Sequence, residues 1–212
     1  MKKSIQVLLL AISIVWFRAV HAKEANWYTG TIKLLSNQTM EGEVSYNPEA
    51  DVVQFKGKGI VKAFSARSIQ SFGYFDTDMN MFRRFLALSY KTRPTYQTKM
   101  FFEIVLTGHM YLVRRKNNSM DFLSSSSFSQ GSESEKFYDT INGFTYYVYS
   151  GHQFINIKKF RKEIWPSMQA EFGEELKAFI RENHINKHLS TGKFRIINYY
   201  NTLKDPSLIA FY

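Results

Sequence analysis

The stretch Trp27-Tyr28-Thr29-Gly30-Thr31-Ile32-Lys33-Leu34-Leu35, the turn residues Ser36-Asn37-Gln38-Thr39, and Met40-Glu41-Gly42-Glu43-Val44-Ser45-Tyr46 decide the fold. Tyr28, Ile32 and Leu34 fall on one side of an extended chain; Met40, Gly42, Val44 and Tyr46 alternate with Glu41, Glu43 and Ser45. Successive side chains of a strand point to opposite faces, so this period of two marks two antiparallel strands with one buried face and a polar hairpin turn.

The same pattern continues downstream. Asn47-Pro48-Glu49 turns the chain into Val52 to Phe55, Gly57-Lys58-Gly59 into Ile60 to Phe64, and the Ser65-Ala66-Arg67-Ser68 corner into Ile69 to Phe75. Further strands are expected at Arg84 to Tyr90, Met100 to Leu106, Met110 to Arg115, Phe144 to Tyr149 and Phe154 to Ile157. The last four form two hairpins that turn at Thr107-Gly108-His109 and Ser150-Gly151-His152. Residues 116–136, with Ser124 to Ser127, Ser129, Ser132 and Ser134, read as a flexible Ser-rich loop whose Phe122, Leu123 and Phe128 dock on a neighbouring surface.

After Ile157 the period changes. Phe160, Ile164, Met168, Phe172, Leu176 and Ile180 recur every four residues, and Trp165 and Phe179 widen the stripe. Pro166 divides this run, predicting a short helix ending near Trp165 and a second from Ser167 to Asn183. A third is expected from Ser190, as N-cap, to Leu203, stopped by Asp205-Pro206. The order predicts an α+β fold: a β-rich region over residues 23–157, a curved antiparallel sheet (roll or small barrel), followed by a C-terminal block of about three helices over 158–212 that packs on the sheet. Gly30 and Gly42, inside strands, are expected at bends or close backbone approaches.

Ahead of the strands, Met1-Lys2-Lys3, an apolar run from Ile5 to Phe17 and Arg18-Ala19-Val20-His21-Ala22 have the layout of a signal peptide, residues 1–22. The run is too short to span a bilayer, so no transmembrane anchor is expected after cleavage, and the protein is expected in the periplasm, peripheral to the outer membrane, or secreted. Without cysteine the chain has no disulfide and no acylated cysteine, so stability must come from a core supplied by 19 Phe, 13 Tyr and 3 Trp. Cleavage removes three cations and no acid from a formal charge of +10, leaving +7. Nucleic acid is not expected in that compartment; an anionic envelope surface, an acidic glycan or an envelope protein is.

The cations are concentrated. Between Val52 and Lys116 there are twelve Lys and Arg against Asp76, Asp78 and Glu103. Arg83, Arg84, Arg114 and Arg115, interleaved with Tyr111, are the candidate binding face, since guanidinium groups pair with carboxylate or phosphate and stack on rings. No Gly-x-Ser-x-Gly, His-Glu-x-x-His or phosphate-loop motif occurs, so no catalytic residue and no cofactor is assigned. His184 and His188 have helical ligand spacing but no adjoining cluster, and Asp76-Thr77-Asp78-Met79-Asn80 lacks the closing acid of a calcium loop, so no metal site is assigned. His109 and His152 each follow a glycine at a hairpin tip, as turn chemistry requires.

Trp27, Gly30, Ile32, Gly42, Tyr46, Val53 and Phe55, with Phe101-Phe102-Glu103, Gly108, Tyr146-Tyr147 and Tyr199-Tyr200-Asn201, give the chain a pattern that resembles exported proteins of the Bacteroidota with a β-rich N-terminal and a helical C-terminal part. The resemblance implies an envelope address and carries no reaction, ligand or catalytic residue. The resulting expectation is a non-enzymatic binding or structural module with a basic and aromatic face. The alternatives are an envelope hydrolase using Asp76 or Asp78 with a distant partner, and an integral outer-membrane component.

Overall fold

The computed structural model describes residues 25–93, 95–117 and 143–211. The signal-peptide reading and most of the Ser-rich loop lie outside these residues. Ten strands form one sheet: β1 (Tyr28–Leu34), β2 (Thr39–Asn47), β3 (Val52–Gly57), β4 (Ile60–Ser65), β5 (Ile69–Asp76), β6 (Met81–Arg93), β7 (Tyr96–Leu106), β8 (Tyr111–Lys116), β9 (Phe144–Ser150) and β10 (Gln153–Asn156). Their order is β10-β9-β8-β7-β6-β5-β1-β2-β3-β4, and every neighbouring pair is antiparallel.

Two helices follow, α1 (Trp165–Glu182) and α2 (Ser190–Lys204), so the class is α+β. The expected first helix is instead a 3-10 turn (Ile157–Lys159) running into a π turn (Phe160–Ile164). Pro166 stands in the first turn of α1, where a missing N–H costs nothing, so it begins the helix rather than dividing it. The break in α1 comes at Phe172, whose φ of −135° is not helical. Ser190 is the first helical residue, with Leu189 at the cap position.

The sheet is not closed into a barrel, but it is strongly bent. β4 lies four strands from β5, about 19 Å across a flat sheet, yet the Ala66-Arg67-Ser68 corner joins them. The four Cα steps from Ser65 to Ile69 reach only about 14 Å. The bend also brings the Tyr46 ring of β2 to 5.9 Å from the Phe101 ring of β7, again four strands away. The Asp51 carboxylate, in the β2–β3 turn, accepts from the Phe101 backbone N–H.

The pairing register places one set of side chains inside this bend. Ile32, Val44, Val53, Phe55, Phe72, Tyr74, Phe85 and Phe101 form one apolar cluster there. Its rings stack as Tyr28 on Tyr74 (5.1 Å) and Phe72 on Phe85 (4.5 Å). Further along the same face Leu112, Tyr146 and Val148 form a second cluster with Ile164, Met168, Leu176, Ile196, Ile197 and Tyr200 of the C-terminal segments. On the outer face Phe102 is buried under Tyr90, Tyr147 and Phe154, and the Tyr90 and Tyr147 hydroxyls meet at 3.1 Å.

The two glycines inside strands mark close approaches. A Cβ on Gly30 would lie 2.3 Å from the Gly73 carbonyl oxygen, and one on Gly42 2.8 Å from the Phe55 ring. The hairpin glycines Gly108 (φ +144°) and Gly151 (φ +55°) both adopt the positive φ their turns need.

Candidate functional site

Glu103 on β7 stands opposite Arg114 on β8, one strand from Arg83 on β6, so the register alone puts these three side chains on the inner face. The geometry that results is a doubly forked carboxylate. Arg83 donates from Nε and Nη2 to Glu103 Oε1 and Oε2 at 2.9 and 2.8 Å, and Arg114 does so from Nη2 and Nε at 2.9 and 2.8 Å. Arg83 Nη1 also reaches Asp76 Oδ2 at 3.3 Å, its guanidinium lies 5.4 Å over Phe85, and that of Arg114 lies 4.4 Å over Phe144.

Only 3% of Glu103 is exposed. Burial opposes its charge, but the hydrogen bonds and charges of Arg83 and Arg114 outweigh burial and hold the carboxyl below its usual range. Burial likewise opposes the charge on both arginines, and Glu103 raises each above its ordinary value. The cluster sits between the two apolar clusters of the inner face as a neutralised polar seam.

The other members of the expected binding face are elsewhere. Arg84 is exposed and on the outer face, opposite Gly73 in the register. Tyr111 and Arg115 alternate with Leu112 and Arg114 along β8, and Arg115 acts electrostatically on Asp51, whose carboxyl is raised by burial. The structure therefore unites Arg83 and Arg114 and separates them from Arg84.

The two aspartates have structural partners. Asp76 Oδ1 accepts from the backbone N–H groups of Asp78 and Met79, closing the β5–β6 turn, and Asp78 Oδ2 accepts from the Tyr28 hydroxyl at 2.9 Å. His184 and His188 occupy the turn between α1 and α2 rather than one helical face. Among the described residues no group of three or more His, Cys, Asp or Glu is placed to hold a metal ion. No described helix is long and apolar enough to cross a membrane.

A cavity of about 410 Å³ opens at the far end of the inner face. Met40, Phe55 and Ile60 supply its apolar lining, and Gln38, Thr39, Glu41, Lys58 and Lys62 its polar lining. The Phe55 ring is held flat because Gly42 and Gly57 leave room for it, each with a position 2.8 Å from the ring where a Cβ would stand. Lys58 and Lys62 are both exposed, and among the described residues neither has an ion-pair partner.

Sequence reasoning did not find this cavity. Its one signal was Gly57-Lys58-Gly59 flanked by Phe55 and Ile60, which period-two reading treats as a turn. Comparison with known protein families, curated proteins and solved structures finds no match to the chain.

Proposed function

We propose that the protein is a non-enzymatic binding module of the cell envelope, exported by residues 1–22, that engages an acidic partner through surface cations. One observation carries this reading: Glu103 and Asp76 together balance the charges of Arg83 and Arg114, whereas Lys58 and Lys62, beside a cavity with an apolar floor, have no ion-pair partner among the described residues. A lysine rim over an apolar floor suits a ligand that is anionic and partly apolar, because the charge attracts it and the cavity removes its apolar surface from water.

The test is a binding titration of the purified protein against polygalacturonate, vesicles containing 30% phosphatidylglycerol, and acidic peptides. At least one is expected to bind, more weakly as salt rises, and to lose at least tenfold in affinity to the Lys58→Glu, Lys62→Glu double variant. Binding indifferent to salt and to both substitutions overturns the reading.

A further inference from the structure

The cavity adjoins an unfinished sheet edge. β4 ends the sheet and pairs only with β3, so the backbone N–H and C=O groups along its other side have no strand partner among the described residues. Its side chains are open too, with Ile60 and Val61 exposed at 54% and 59% and Lys62 and Ala63 also exposed. An edge without proline or bulge is a template for one more strand. At the other end of the sheet β10 has four residues and is flanked by the Phe160–Ile164 π turn.

We infer that β4 is the docking edge for an extended acidic segment of a partner polypeptide, added as an eleventh strand beside Ile60–Ser65. This rests on the binding reading above and names its partner class. Strand addition supplies main-chain hydrogen bonds, and alternate side chains of the guest supply specificity. Guest side chains on the inner face would lie beside Ile60 and Lys62, both of which line the cavity. Residues facing inward along β4 therefore ask for an apolar group next to Ile60 and a carboxylate next to Lys62, with a second carboxylate for Lys58 at the strand's start.

Charge complementarity argues for an acidic guest and against a second copy of this chain. Two β4 edges paired antiparallel about Ile60 would set Lys58 of each copy against Lys62 of the other, and like charges facing across a strand pair are unfavourable.

The experiment follows the anisotropy of a labelled synthetic octapeptide, Thr-Glu-Thr-Val-Thr-Glu-Thr-Thr, whose alternate residues present glutamate, valine and glutamate on one face, titrated with purified protein at low and high salt. A second peptide of the same sequence has its central amides N-methylated, which removes strand hydrogen bonding and keeps the charge. The expected result is saturable binding that falls at least tenfold on N-methylation and at least tenfold in the Lys58→Glu, Lys62→Glu variant. Both substitutions are at exposed positions, and an unchanged melt verifies folding.

Equal binding of the two peptides would overturn strand addition while leaving an acidic-partner module in place. So would lysine-dependent binding of polygalacturonate or phosphatidylglycerol vesicles with none of either peptide. Absence of all binding would overturn both readings. A doubled mass by light scattering that the peptide dissolves would put a second copy on β4 and overturn the choice of guest.

Discussion

Glu103 and Arg114 face each other across the β7–β8 register and are joined by two parallel hydrogen bonds of 2.8 and 2.9 Å, while Arg83 grips the same carboxylate from β6. The cluster occupies the middle of a face that is otherwise apolar at both ends. Its worth lies in being complete. Replacing Glu103 by Gln leaves two partly buried guanidinium groups sharing a neutral acceptor, and breaking a buried pair costs about 3 kcal/mol or more. Urea unfolding of Glu103→Gln should show that loss. A quadruple variant with Met, Leu and Met at positions 83, 103 and 114 and Asn at 76, which removes the carboxylate that Arg83 would otherwise leave unpaired, should recover much of it, since similar-sized apolar groups often replace a buried ion cluster without penalty.

Acid should act on two carboxyl groups in opposite directions. Although burial works against it, Glu103 is held below the usual range by Arg83 and Arg114, so its contribution is present above the unfolded value of about 4.3 and lost as pH falls through the lower folded value. Asp51 is raised by burial, more than Arg115, Tyr46 and the Phe101 N–H lower it, so its contribution declines as pH rises from about 3.9 toward the folded value. Urea midpoints measured from pH 2.5 to 7 should lose the acid-side decline in Glu103→Gln. In Asp51→Asn they should lose the decline above pH 4.

The stripe Phe160, Ile164, Met168, Leu176 is core, with Ile164, Met168 and Leu176 fully buried against the sheet. Leu176→Asp would put a charge among Met168, Ile197 and Tyr200, which a cluster of this kind does not accommodate. Thermal melts of this variant should show no cooperative transition at the temperature of the wild-type one, in both the near- and far-ultraviolet.

The strand pattern was legible because Tyr28, Ile32, Val44 and Val53 obey a rule local to their own strands. The helical stripe was legible for the same reason, as Ile164, Met168 and Leu176 show, although the count of helices was not. Pro166 reads equally as a break or as a first-turn residue, and only the preceding π turn decides. The ion cluster was half legible. Arg83 and Arg114 stood out by charge, but Glu103 is one acid among many basic residues, and its role depends on a register that joins positions 20 and 11 residues apart. Sheet bending was beyond the pattern, because contacts such as Tyr46 with Phe101 depend on the three-dimensional path of three intervening strands rather than on either segment.

The tie between the helices and the sheet is tightest at Asn201, which is fully buried in α2. Its Oδ1 accepts from the Met110 N–H at 2.9 Å, and its Nδ2 donates to the Met110 and Thr107 carbonyls at 2.8 and 3.3 Å. One side-chain amide thereby satisfies the β7–β8 turn as a neighbouring strand would. Gly108 makes this possible, since a Cβ there would stand 2.4 Å from Asn201 Cγ and its φ of +144° suits glycine alone. Asn201→Ala should leave the Met110 N–H and carbonyl buried without partners and cost about 2–3 kcal/mol. Asn201→Asp keeps the acceptor for the Met110 N–H but turns the donor into an oxygen facing two carbonyls, so it should be at least as damaging at neutral pH and milder in acid, where the carboxyl regains a proton. Gly108→Ala should destabilise independently of pH. Calorimetry on the three variants at pH 4 and 7 would distinguish these outcomes, and an Asn201→Ala protein as stable as wild type would show that the contact is incidental to holding the helices on the sheet.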